Sequence, residues 1–126
     1  MIKLNNKKYD NYKIEVLWDN FELGSNNKKI KGVSPFISFN IDNNIIIEIE
    51  TNISKETLEN ININEKINIT QYLTDIIFEE QKGSRSIIDW KYNFEMTKIN
   101  SNFFKIEFDI NNNDEKIKID CNVELI

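Results

Sequence analysis

No histidine occurs in this chain of 126 residues. That absence removes the commonest general base, the Ser–His and Cys–His nucleophile pairs, and most zinc and copper sites. The three glycines, Gly24, Gly32 and Gly83, are scattered and cannot cradle a phosphate, and no GxGxxG, P-loop or GxSxG pattern exists. A single cysteine, Cys121, cannot close an internal disulfide, so nothing points to an oxidising compartment. Alanine, the strongest helix former, is missing altogether, which argues against an all-α fold. Arginine occurs once, at Arg85, and proline once, at Pro35, read here as lying just ahead of a strand where its missing N–H does least harm. No apolar run approaches the ~18 residues of a membrane helix. Met1–Lys8 lacks the apolar core of a signal peptide. A cytoplasmic location is therefore expected, with secretion after signal removal as the other route.

What is abundant is isoleucine, asparagine and lysine. Isoleucine and phenylalanine suit a pleated, half-buried surface. The length is that of one domain, 1–126. The net charge is −5 with a pI near 4.8. An acidic domain repels nucleic acid and anionic lipid and suits a basic protein partner. Lys7–Lys8 and the cluster Lys28, Lys29 and Lys31 are read as solvated surface.

Alternation with period two is the dominant pattern. Trp90, Tyr92, Phe94 and Met96 fall on one face; Phe104, Ile106, Phe108 and Ile110 form a second run, and Ile117, Ile119, Cys121, Val123 and Leu125 a third. Short Asn-rich breaks separate them, so the C-terminus reads as a three-stranded antiparallel meander. With Asn113-Asp114 as the turn, Ile110 faces Ile117, Phe108 faces Ile119, Ile106 faces Cys121, and Asp109 faces Lys118. The N-terminal half carries similar runs at Tyr12–Trp18, Ile37–Ile41 and Ile45–Ile49, the latter two joined by Asp42-Asn43-Asn44. Ile46 interrupts the polar face of its strand, which places that strand centrally or buries both its sides. Lys55–Glu59 can form one or two helical turns capped by Ser54. Segments around Ile67–Ile69 and Asp75–Glu79 read as further strands, and Gln81–Ser86 as a polar loop. The sum is an all-β domain, an antiparallel β-sandwich of about eight or nine short strands, with a small closed barrel as the alternative.

The chemistry left to such a chain is narrow. Asp75, Glu79, Glu80, Asp89, Glu107 and Asp109 are the carboxylates a glycosidase-like pair would draw on, yet most alternate with apolar residues as solvated strand faces do. Asp109, Asn111, Asn113 and Asp120 imitate an EF-hand spacing without its glycine, its Glu or its helices, and a hairpin turn explains them. No enzyme, metal or cofactor is expected, and neither nucleic acid nor membrane as a partner. Apolar residues on otherwise polar faces are the useful anomaly: Leu17, Ile77, Phe103 and Ile126. With Asp75, Glu79, Glu80, Asp89 and Arg85 they make the candidate partner-binding set, Phe103 being the favoured anchor. The leading expectation is a protein-binding module, of the stoichiometric-inhibitor kind seen in immunity-type or anti-defence proteins. A small structural subunit of a phage-tail or secretion assembly is the alternative, and a ligand- or lipid-binding β domain a further one.

Overall fold

The computed structural model describes residues 1–23 and 30–125; for 19–23 and 30–34 only the backbone is described. Gly24, Lys28, Lys29 and Ile126 lie outside the described residues. Eleven strands are described: β1 (Ile2–Leu4), β2 (Lys7–Tyr9), β3 (Tyr12–Leu23), β4 (Ile30–Ile41), β5 (Ile45–Thr51), β6 (Lys66–Asn68), β7 (Leu73–Glu80), β8 (Gly83–Ser86), β9 (Lys91–Lys98), β10 (Phe103–Asn111) and β11 (Lys116–Glu124). One short helix, α1 (Lys55–Glu59), links β5 to β6. The strands form two antiparallel sheets, β2-β1-β11-β10-β9-β6 and β3-β4-β5-β7-β8. The molecule is the expected β-sandwich; the described strands close no barrel.

The meander carries the register read from the turn. Ile110 pairs with Ile117, Phe108 with Ile119, Ile106 with Cys121 and Asp109 with Lys118. The turn is fastened by Asn112, whose Oδ1 accepts from the N–H groups of Asp114 and Glu115. Ile2 joins β11 opposite Ile119, a contact of residues far apart in the chain. The inward residues of both sheets meet in one core that includes Ile37, Phe39, Ile47, Ile49, Phe94, Phe104, Phe108 and Ile119, all essentially buried. Phe94 and Phe108 stack edge-to-face with ring centres 4.3 Å apart.

β5 is central, between β4 and β7, which accounts for half-buried Ile46 on its outer side. Asp42 and Asn43 adopt positive φ in the β4–β5 turn, a conformation short polar side chains tolerate. Ser54 caps α1 as read, its Oγ accepting from Thr57 N–H at 3.1 Å. The other end of α1 is held by Lys98. This lysine is only 6% exposed and continues the inward series of β9; its Nζ donates to the carbonyls of Leu58 and Glu59 and lies over the Phe104 ring. Cations at helix C-termini are favourable, and burying this one is tolerable because its protons are engaged.

Two sequence readings need correction. Gln81–Ser86 is not simply a loop: Gly83–Ser86 pairs with Ile77–Glu80 as an edge strand. Its side chains are exposed, so only main-chain pairing reveals it. Pro35 lies inside β4, opposite Trp18, rather than ahead of the strand. Its carbonyl accepts from Thr51 Oγ1, so its imide side faces β5 just beyond the last β4–β5 pair, Phe36 with Glu50. No ladder donor is lost there.

The packing assigns Phe108 to the centre of the core. Phe108→Ala should lower stability by about 3–5 kcal/mol, read as a fall in the urea midpoint. An unchanged midpoint would mean that the inner and outer faces of β10 have been exchanged.

Candidate functional site

The outer face of the five-stranded sheet gathers the residues that break the polar pattern. Alternation sends Lys13, Glu15 and Leu17 of β3 outward, with Phe36, Ser38 and Asn40 of β4, Ile46, Glu48 and Glu50 of β5, and Asp75, Ile77 and Glu79 of β7. Register arranges them in three rows: Leu17–Phe36–Glu50–Asp75, then Glu15–Ser38–Glu48–Ile77–Ser86, then Lys13–Asn40–Ile46–Glu79–Ser84. Leu17 is 57% exposed; Phe36, Ile46 and Ile77 are half-buried. Five carboxylates share this described face with one ammonium, so it accounts for most of the chain's net charge of −5.

The opposite sheet treats its charges differently. Lys66 reaches Glu95 at 2.9 Å and Glu107 at 3.5 Å, and Lys105 also approaches Glu107. The hydrogen bond to Glu95, with the fields of Glu107 and Glu95, raises the Lys66 pKa, and Lys66 lowers that of Glu95. On the five-stranded face, Glu15, Glu48 and Glu79 form no ion pair with another described residue. Asp75 is held in place: its Oδ1 accepts from Ser86 Oγ at 2.5 Å and from Ile76 N–H at 2.8 Å. Asn40 Oδ1 is buried within this face without a hydrogen-bond partner. Such an acceptor costs about 1–3 kcal/mol.

The residues singled out from the sequence separate into groups. Leu17, Ile77, Asp75 and Glu79 come together on this face. Phe103, 39% exposed, lies on the other sheet opposite Glu124. It joins a second apolar group: Ile99 N–H donates to the Phe103 carbonyl, and Asn64 N–H to the Lys98 carbonyl, which brings exposed Ile63 and Ile99 to the same end. Glu80 turns to the opposite side of β7 and lines a cleft of about 410 Å3 with Leu4, Lys7, Tyr9, Ile45 and Phe78 at the open end of the sandwich. Asp89 is exposed in the β8–β9 loop. Arg85 is engaged within the fold, its guanidinium 5.5 Å from the Phe78 ring and 5.7 Å from that of Trp90, and paired with Glu115 at 3.1 Å. It ties the β8 edge to the β10–β11 hairpin. Phe36, Ile46, Glu15 and Glu48 complete the face and were missed, although their strand parity was visible; which strands lie side by side was not.

Among the described residues no three His, Cys, Asp or Glu side chains are placed to share a metal ion, and no helix is long and apolar enough to cross a membrane. Compared with protein-family models, curated proteins and solved structures, the chain matches none. The face offers an electrostatic field and apolar contact.

Cys121 is partly buried between the sheets, and burial pushes its thiol up to about 11. Its reaction with iodoacetamide should be slow at neutral pH and keep accelerating with pH beyond the ordinary thiol range of about 8.5. The folded pKa is raised, so the associated stability is complete below about 8.5 and is lost as pH rises to about 11. Rapid labelling of native protein at pH 7 would place the thiol outside.

Proposed function

We propose that this domain is a non-enzymatic protein-binding module that works by surface contact through the outer face of its five-stranded sheet. The reading rests on one observation: Leu17, Phe36, Ile46 and Ile77 are set among Glu15, Glu48, Asp75 and Glu79, and among the described residues Lys13 is the one lysine in these rows. A patch with an apolar interior and a one-sided field suits a protein whose contact surface is basic. Covering such a surface is what a stoichiometric inhibitor of the immunity or anti-defence kind does. The carboxylates steer encounter, and the apolar side chains slow dissociation. No cofactor takes part in this reading.

The test places a photo-crosslinking side chain at Leu17 or Ile77 in one set of variants and at Lys3, on the other sheet, as a control. In host extract, one discrete adduct should form from Leu17 and Ile77 alone. Glu48→Lys/Glu79→Lys should then weaken that complex by about tenfold or more at low salt, mainly through a slower association rate. Equal adducts from all three positions, or an unaltered rate, count against the face.

A second reading, a structural subunit of a larger assembly, draws on the separate apolar group of Ile63, Ile99 and Phe103. Phe103→Ser should leave the melting temperature nearly unchanged, since the ring is exposed, and abolish any ring or filament that the parent forms. If the parent forms no such assembly at high concentration, this reading falls.

A further inference from the structure

The five-stranded sheet ends in a long open edge. β3 pairs with β4 without a register shift from Tyr12 to Leu23, and no described strand lies on its other side. The remaining edges are short: β2 and β6 have three residues each and β8 has four. Short strands are the usual protection of an edge, and β3 lacks it, as it lacks a proline or a bulge. Asp42 N–H donates to the Asn11 carbonyl, which fixes the parity of the strand. The odd residues bond toward β4, so Tyr12, Ile14, Val16 and Trp18 turn their N–H and C=O groups to the open side. Their side chains point inward but are only half-buried. Ile14 and Val16 line a groove of about 390 Å3 with Asn122, Val123 and Glu124 of β11. No described strand completes the sandwich along this margin.

The edge is complementary to itself. Two copies of β3 running antiparallel about Ile14 place Ile14 opposite Ile14, Tyr12 opposite Val16, and Lys13 opposite Glu15, the last two pairings occurring twice by symmetry. Ile14, Tyr12 and Val16 then fall on hydrogen-bonded positions, with about six main-chain bonds closing the pair. On the outer face each lysine meets a glutamate across the junction.

We infer that a second copy of this chain pairs with the β3 edge, joining two five-stranded sheets into one continuous sheet across a two-fold axis. The junction is small, so the dimer is weak and reversible. It sets two acidic faces side by side, which gives a dimeric or repetitive basic partner two attachments in place of one.

Sedimentation equilibrium from about 10 to about 500 µM tests the pairing, since a junction of this size gives a weak dimer. The parent should show a monomer–dimer equilibrium that stops at the dimer. Lys13→Glu or Glu15→Lys alone replaces two attractive pairs by two repulsive ones and should raise the dissociation constant about tenfold or more. Both residues are exposed, so circular dichroism melts should match the parent. The double variant Lys13→Glu/Glu15→Lys restores the pairs in reversed order and should restore the dimer. A parent that stays monomeric throughout overturns the inference. So does a dimer indifferent to the single reversals, or one that the double variant fails to rescue.

Discussion

Everything placed on the surface of this domain depends on the contact between the two inner sheet faces, centred on Phe94, Phe108 and Ile119. Phe108 touches Phe94 in the neighbouring strand ring to ring, and faces Ile119 in the strand on its other side. Because side chains alternate strictly along a strand, fixing these three inward fixes every other residue of β9, β10 and β11 as in or out. The same logic runs through Ile37, Phe39, Ile47, Ile49 and Ile76 in the opposite sheet. Slipping one strand by a single residue would bury Lys118 or Glu48 and expose isoleucine. The apolar contact thus determines the outer faces as firmly as the core.

Local pattern was therefore a good guide wherever one strand and its hairpin partner sufficed. The meander register could be read from the Asn113-Asp114 turn, the cap of α1 from Ser54, and the central place of β5 from Ile46. Lys98 could have been read too, since it extends the inward series Phe94, Met96; a lysine at such a position needs acceptors, and the end of α1 supplies them. Illegible features were of two kinds. β8 has four exposed residues, a glycine and three polar ones, so its only signal is main-chain bonding to β7, which leaves no mark on composition. The pairing of β1 with β11 and of β5 with β7 joins distant segments, and no local rule announces it. That second limit decides the candidate site. Leu17, Ile77 and Phe103 were all visible as interruptions, but only strand order shows that the first two share a face and the third does not.

The net charge was likewise legible while its placement was not. On the six-stranded sheet, like charges meet in register, Asp120–Glu107–Glu95 in one row and Lys8–Lys3–Lys118 in another, and Lys66 serves two of the glutamates. A lysine shared in this way offsets part of the repulsion within the acidic row. The five-stranded face holds like charges on neighbouring strands, Glu50 beside Asp75 in register, and Glu48 close to both. Glu15, Glu48 and Glu79 on that face form no ion pair with another described residue.

A cost to folding lies on the same face. Asn40 sits in the row between Lys13 and Ile46 with a shielded, partnerless acceptor, where a β-branched apolar residue would pack at no such penalty. Folds carry unsatisfied polar atoms and unbalanced charge chiefly where something other than folding acts on the sequence. Here the unsatisfied acceptor and four apolar side chains with incomplete cover fall on one face of one sheet. The core beneath that face is closed and continuous, so the burdens cannot be traced to poor packing inside. The exposed carboxylates and apolar side chains are accounted for if another molecule covers the face from outside, its cations meeting Glu15, Glu48 and Glu79 and its apolar surface meeting Leu17, Phe36, Ile46 and Ile77.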